Sequence, residues 1–242
     1  MSQDERVSTG IEGFDQMSRG GLPKHSINVL TGDAGSGKSL FSRHFATEAV
    51  KRNEVAVYIS VDEAEESVFR AARQYDLGLE EAIQEGNLVL HDYQSLHENL
   101  GQDLIDFDDL TRMIDRLVTP TNATRLVVDS VAGLGIAEDS PNEIRRGLLR
   151  FIRRIRENKV TALFVTEMWG DQLTRYNVEE YVGDSLTVLR LQQQENKLNR
   201  SINIRKMRFT DHDTSFRPVE IGPSGMVIHD QGQVFGGEFG LE

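Results

Sequence analysis

Apolar and polar residues along this chain repeat with two different periods. Short apolar runs recur at 27–31 (INVLT), 55–60 (VAVYIS), 87–93 (NLVLHDY), 125–130 (RLVVDS) and 160–167 (VTALFVTE), and each reads as a strand. Helical spacing fills the gaps between them. SLFSRHFATEAVKR at 39–52, EESVFRAARQY at 65–75, LTRMIDRLV at 110–118 and EIRRGLLRFIRRIREN at 143–158 each set an apolar stripe against a polar one. From about residue 186 the helical period disappears, and SLTVLRL, SINIRKM, FRPVEI and MVIH follow as strands alone. Alternating β and α patterns predict an α/β fold with a mainly parallel, twisted sheet and helices on both faces. The late strands extend that sheet as antiparallel edge hairpins. No linker or repeat interrupts the pattern, so the sequence reads as one domain over 1–242.

Composition narrows the partners. With 242 residues, 38 % of them hydrophobic, the chain can bury one large core. It has no cysteine, which excludes disulfides and thiolate metal sites, and its six histidines lack the spacing of a zinc site. The opening MSQDERVSTG lacks the regions of a signal peptide, and no apolar run reaches the roughly 18 residues that span a membrane. The expectation is a soluble, cytoplasmic protein without membrane insertion. Acids exceed bases by 39 to 27, a net charge of −12, which argues against a dedicated nucleic-acid binder. In the arginine-rich helix, Ile144, Leu148, Ile152 and Ile155 share a face and the arginines take the other. A solvated helix surface is the plainer reading; a docking face for an acidic partner or nucleic acid is the alternative.

GDAGSGKS, residues 32–39, carries the chemistry. It has the spacing G-x-x-x-x-G-K-[ST], after a strand and before a helix. Gly32, Asp33, Ala34, Gly35, Ser36, Gly37, Lys38, Ser39 and Leu40 therefore form a candidate phosphate cradle. Glycines let the backbone N–H groups turn inward, and the helix that follows adds its positive dipole end. Lys38 would reach the β- and γ-phosphates and the Ser39 hydroxyl would bind Mg²⁺, which implies ATP or a related triphosphate. Asp129 closes the strand RLVVDS, where a second anchor for the metal belongs. Asp62 and Glu63 follow the strand VAVYIS; a carboxylate there polarises an attacking water, or else caps the helix that follows. Glu65 and Glu66 suit the helix start better.

Late in the chain, SINIRKMRFTDHDTSFRPVEI reads as two strands around a polar turn. Its alternation places Lys206, Arg208, Thr210 and His212 on one face. A charged strand edge that discourages aggregation is one explanation.

A second explanation comes from resemblance. STGIEGFDQMSRGGLP ahead of the loop, GSGKSLF, the acidic pair DE, VVDSV, VEEYVGDSLTVLR and KMRFTDHD resemble, in order, the KaiC-like branch of the RecA superfamily. The blocks run from about residue 8 to 229, leaving 230–242 as a flexible C-terminal tail, and they correspond to one KaiC-type domain. The resemblance implies a RecA-like P-loop fold and a Mg²⁺-dependent, slow ATPase working as an oligomer, a homohexameric ring. In it, Lys206 and Arg208 act on a neighbour's γ-phosphate, with Thr210 and His212 in support. It also raises Glu63 as the water-orienting carboxylate, with Asp62, shorter than the family's usual Glu, beside it.

Two departures limit what is carried over. Glu179 and Glu180 stand where the clock kinase has its Ser-Thr pair, so phosphorylation of that pair is chemically impossible here. Gly222-Pro223-Ser224 replaces an acidic residue near the base, which leaves adenine preference open. Trp169 sits in the loop MWGDQLTRY, facing a partner or shielded as a structural residue. Two other functions stay in view: a RadB-like recombinase, and an ATP-gated scaffold that does not hydrolyse.

Overall fold

The computed structural model describes residues 5–93, 106–137, 140–194 and 197–230. In chain order the strands are β1 (Arg6–Val7), β2 (Leu22–Pro23), β3 (Ile27–Gly32), β4 (Ala56–Ser60), β5 (Leu88–Asp92), β6 (Arg125–Asp129), β7 (Thr161–Val165), β8 (Ser185–Gln194), β9 (Lys197–Met207), β10 (Arg217–Gly222) and β11 (Gly225–Ile228). The helices are α1 (Glu12–Met17), α2 (Lys38–Arg52), α3 (Glu65–Gln74), α4 (Leu79–Gln84), α5 (Phe107–Thr121), α6 (Pro141–Glu157) and α7 (Glu179–Val182), with a 3₁₀ stretch at Val131–Ala137.

One nine-stranded sheet takes the order β11-β10-β9-β8-β3-β7-β6-β4-β5. Strands β8, β3, β7, β6, β4 and β5 run parallel, and β9, β10 and β11 extend the β8 edge as antiparallel strands. The sequence predicted this arrangement. The alternation of side chains along each central strand explains the two layers of helix. Tyr58, Val127 and Leu163 pack with Phe41, Phe45 and Val68 from α2 and α3. Val57, Ile59, Leu126, Val128 and Phe164 pack with Leu110 and Ile114 of α5 and with Leu148, Phe151 and Ile155 of α6. Strands β3, β4, β6 and β7 are buried at every position because both faces are covered, and apolar residues fill most of each.

In α6, Arg150, Arg154 and Arg156 pair with Asp108, Asp115 and Asp184, so much of its charge is already met within the chain. Ser140 caps this helix by accepting the Glu143 amide. Among the described residues no helix is long and apolar enough to cross a membrane. The expected tail, from residue 231 onward, lies outside the described residues.

The register puts the carboxyl ends of four neighbouring strands level with one another. Ser60 lies opposite Asp129, Asp129 opposite Val165, and Leu30 opposite Val165. The segments leaving β3, β7, β6 and β4 therefore meet at one end of the sheet, where open α/β folds place their ligands.

The late hairpin departs from its predicted form. β9 ends at Met207, and Phe209 adopts φ +61°, which turns the chain out of the strand. Thr210 and His212 therefore lie in the loop before β10, off the face that simple alternation assigned to them. A bulge in the β8–β9 pairing, between Leu186 and Thr187, also changes the parity of the register, so Lys206 rather than Arg205 stands opposite Leu186.

Candidate functional site

Gly32 ends β3 so close to β8 that a Cβ added there would lie 2.1 Å from the Leu189 carbonyl oxygen. The loop is stitched to β8 from there on. The Asp33 amide donates to the Leu189 carbonyl at 3.2 Å, and Asp33 Oδ2 accepts the Leu191 amide at 2.7 Å. Gly35 and Gly37 take φ +75° and +105°, left-handed turns that curl the backbone of the loop. The Ser36 hydroxyl is buried in this loop and has no hydrogen-bond partner among the described residues. Lys38 Nζ donates to the Gly32 and Asp33 carbonyls at 3.0 and 2.9 Å, so its ammonium is folded over the loop. Burial lowers its pKa, against the opposing pull of Glu167, Asp129 and Asp33.

Asp129 and Glu167 act on that lysine, and Asp62 lies close to both of them. Asp129, at the end of β6, accepts hydrogen bonds from the Tyr58 phenol at 2.7 Å and the Ser42 hydroxyl at 3.0 Å, both on Oδ2. Asp62 accepts the Ser130 hydroxyl at 2.7 Å. Burial raises the Asp62 pKa, and the negative charges of Asp129 and Glu167 raise it further while Ser130 opposes. Glu167, just past β7, acts on both Lys38 and Asp62.

Glu63 turns elsewhere. Its carboxylate takes both its bonds from Arg43 Nη2, at 3.0 and 2.9 Å, and Arg43 is buried in α2. The adjacent pair Asp62–Glu63 is thus split, one acid toward the segment after β6 and one toward helix α2.

On the β8 side, Arg190 lies 3.9 Å from Asp33, and Arg200 donates to the Gly35 carbonyl. The β10–β11 turn packs beside them: Met226 and Ile221 side chains sit within 3.1 Å of where a Gly37 Cβ would be. His44 Nε2, in α2, accepts the Met226 amide at 3.0 Å. The turn Gly222-Pro223-Ser224 is therefore held next to the loop.

The cations of the late hairpin lie at the other end of the sheet. Lys206 Nζ donates to the Glu180 and Gly183 carbonyls at 3.0 and 2.7 Å. Arg208 pairs with Asp184 at 3.3 Å. Burial lowers the Lys206 pKa, helped by Arg208 and opposed by Asp184 and Glu180. The Arg208 amide donates to the Asp184 carbonyl, and the Asp184 amide to that of Ile27. Five residue steps along β3 lead from Ile27 to Gly32, roughly 16 Å at about 3.3 Å per residue. Within one chain, Lys206 and Arg208 do not reach the loop. Thr210 accepts from Arg6 Nη1 at 2.8 Å, and His212 Nδ1 lies 3.2 Å from the Thr210 carbonyl.

Sequence reading missed several members. Glu167 obeys the strand-end rule that found Asp129. Arg43, Ser42 and Tyr58 gave no comparable signal, because an arginine in a helix and a tyrosine in a strand read as surface and core. Trp169 is 58 % exposed with the Arg175 guanidinium 3.6 Å above its ring, which overturns the shielded reading.

The fold and the loop define a RecA-like P-loop protein. A family model described as ATPase: KaiC matches residues 7–233, and the chain belongs to this family. It is similar to the circadian clock oscillator proteins KaiC of Parasynechococcus marenigrum, 30 % identical over 95 % of this chain and 46 % of the relative, and of Synechococcus elongatus, 30 % identical over 94 % and 44 %. The chain spans about half the length of the curated relatives it matches. The crystal structure of a KaiC-like protein from the hyperthermophilic archaeon Pyrococcus horikoshii is similar at TM-score 0.83 and 32 % identity, covering 93 % of this chain and 99 % of that one.

Proposed function

We propose that this chain is a slow, Mg²⁺-dependent ATPase that works as a homo-oligomer, a hexameric ring, with its active sites between subunits. Family membership supports nucleotide binding, and the loop fits a triphosphate: left-handed glycines, the unpartnered Ser36 hydroxyl, and Lys38 facing Glu167 and Asp129. Ser39 and Asp129 would hold the metal, which when bound supplies positive charge to the β- and γ-phosphate oxygens. Tyr58 and Ser42 both bond to Oδ2 of Asp129, which leaves Oδ1 for the metal's water shell. Asp62 is the better candidate to take a proton from water, because it sits with the acids near Lys38, whereas Glu63 is engaged by Arg43. Its raised pKa suits that task.

One observation carries the between-subunit reading. Lys206 and Arg208 lie roughly 16 Å from their own loop, so cations that serve a γ-phosphate must serve another chain's. ATP then tightens the interface and hydrolysis relaxes it. Glu179 and Glu180, where the resemblance places the clock kinase's Ser-Thr pair, argue against phosphorylation there; Glu179 is buried and accepts from Thr166, and Glu180 accepts from Thr174.

The test is ATP hydrolysis per protomer across a wide range of protein concentration. Specific activity that rises and saturates supports a shared site. Mixing Arg208→Ala with Lys38→Ala protomers should restore part of the activity that each lacks alone. No hydrolysis at any concentration leaves the ATP-gated scaffold as the function. Salt-sensitive binding to single-stranded DNA would favour the recombinase reading.

A further inference from the structure

Phe209 combines two costs at one position. Its φ of +61° lies in the left-handed region, where the Cβ of an L residue crowds the backbone, and every other described non-glycine residue there is polar. Its side chain is 79 % exposed, so packing within the chain does not offset that strain. The turn is also braced. Arg6 donates to the Phe209 carbonyl at 3.4 Å and to Thr210 at 2.8 Å, and the neighbouring Arg208 amide is fixed to the Asp184 carbonyl at 2.9 Å. Residues held in a strained geometry by their surroundings cluster where something binds.

The surroundings indicate what binds. Tyr181, whose side chain is 65 % exposed, lies beside this turn, its carbonyl facing Arg208 Nη2. Arg6, Arg19, Arg156, Lys206 and Arg208 outnumber Asp184, Glu180 and Asp211 around this turn. This is a basic patch with an apolar tip on a chain of net charge −12. Two such chains repel in most orientations, so a second copy is best received where basic meets acidic. The P-loop end sets Asp33, Asp62, Glu63, Asp129 and Glu167 against Lys38, Arg43, Arg190 and Arg200, and a bound triphosphate would turn that near balance strongly acidic.

We infer that Phe209 is an interface wedge: its ring, with Tyr181, seats against the P-loop end of a second copy of this chain, and its left-handed turn is strain retained for that contact. The inference rests on the between-subunit reading above. It adds an apolar anchor to the cations, and makes assembly depend on a residue with no role in the chemistry.

Phe209→Gly and Phe209→Asn remove the ring and keep the turn, since both residues tolerate positive φ. Two quantities are measured: the thermal midpoint of dilute, nucleotide-free protein, and the concentration for half-assembly by sedimentation with Mg²⁺ and a non-hydrolysable ATP analogue. The midpoint should stay level or rise by up to about 4 °C, while half-assembly needs about tenfold more protein or higher. Unchanged assembly of both variants overturns the wedge. So does a midpoint lowered by more than about 4 °C, which would make the ring a packing group of its own chain. Arg208→Ala, run alongside, separates the two ideas. Assembly lost with Arg208→Ala and kept with Phe209→Gly removes the wedge alone, whereas a wild-type chain that stays monomeric at every concentration removes the between-subunit reading and the wedge with it.

Discussion

Tyr58 gives its phenol proton to Asp129 Oδ2 at 2.7 Å, from within the sheet. The tyrosine is buried, and the negative Asp129 beside it helps hold its pKa well above the usual value. The phenol therefore stays a donor throughout the working pH range and fixes which way the carboxylate points. Tyr58→Phe should weaken Mg²⁺-dependent nucleotide binding about 10- to 100-fold, at a stability cost of about 1 kcal/mol. Titrating Mg²⁺ against hydrolysis rate would check this; an unchanged metal dependence would show that Ser42 alone orients the acid.

The divided pair Asp62–Glu63 gives a second outcome. Asp62→Asn should cost on the order of 10² to 10⁴ in kcat. Glu63→Gln keeps an acceptor for Arg43 and should cost less in rate, with about 1 kcal/mol of stability. Burial raises the Asp62 pKa, and the carboxylate must be ionised to accept a proton. Activity is therefore present above that raised pKa and falls as pH drops through it. A pH–rate profile of kcat with no acid limb above the ordinary carboxylate range would count against Asp62.

His44 ties the stability of the β10–β11 edge to pH. Burial, with Lys51 adding to it and Glu48 opposing, lowers its pKa from 6.5 to about 4. The folded histidine stays neutral and accepts the Met226 amide. In the unfolded chain it takes up a proton below about 6.5, so the unfolded state binds more protons in this window. Stability is full above 6.5 and declines toward 4, by on the order of 2 kcal/mol. His44→Gln, which can still accept, should flatten that part of the pH dependence. A constant gap in thermal midpoint between the two proteins from pH 7 to 4 would refute the assignment.

Gly32 is fixed by a neighbour as well as by its own backbone, which takes φ +156°. A methyl group there meets the Leu189 carbonyl oxygen at 2.1 Å, and backbone cannot step aside as a side-chain tip can. Gly32→Ala should destabilise by about 3 kcal/mol or more, and denaturant unfolding would measure it. Gly222→Ala meets nothing within 4 Å and should be nearly neutral, which makes it the matched control.

Much of this was legible because periods and spacings are local. The parallel strands announced themselves by runs such as VVD and FVT, whose neighbours on both faces had to be apolar. The loop was legible from spacing confirmed by the strand before it and the helix after it. What escaped depends on long-range contact. Helices α1 and α4 have six residues each, too few to establish a period. The direction of Glu63 is set by Arg43, twenty residues away in sequence and inside a helix whose arginines normally face water. The parity of Lys206 is set by a bulge with no marker in the strand, and the alternation from Lys206 to His212 fails because Phe209 turns left-handed, a conformation the sequence gives no reason to expect of phenylalanine.

Strand β8 is bonded to Asp33 near Leu189 and Leu191, and to the Lys206 stretch near Ser185 and Leu186. One stiff rod therefore touches the phosphate loop at one end and the cations at the other. In a head-to-tail ring these two ends belong to different clefts. In the proposed ring, a push on the loop of one cleft would be delivered along the strand to the cleft on the opposite flank of the same chain. Traffic of this kind would have a sense of rotation, clockwise or anticlockwise, and one disabled subunit would silence its neighbour on one side before the other.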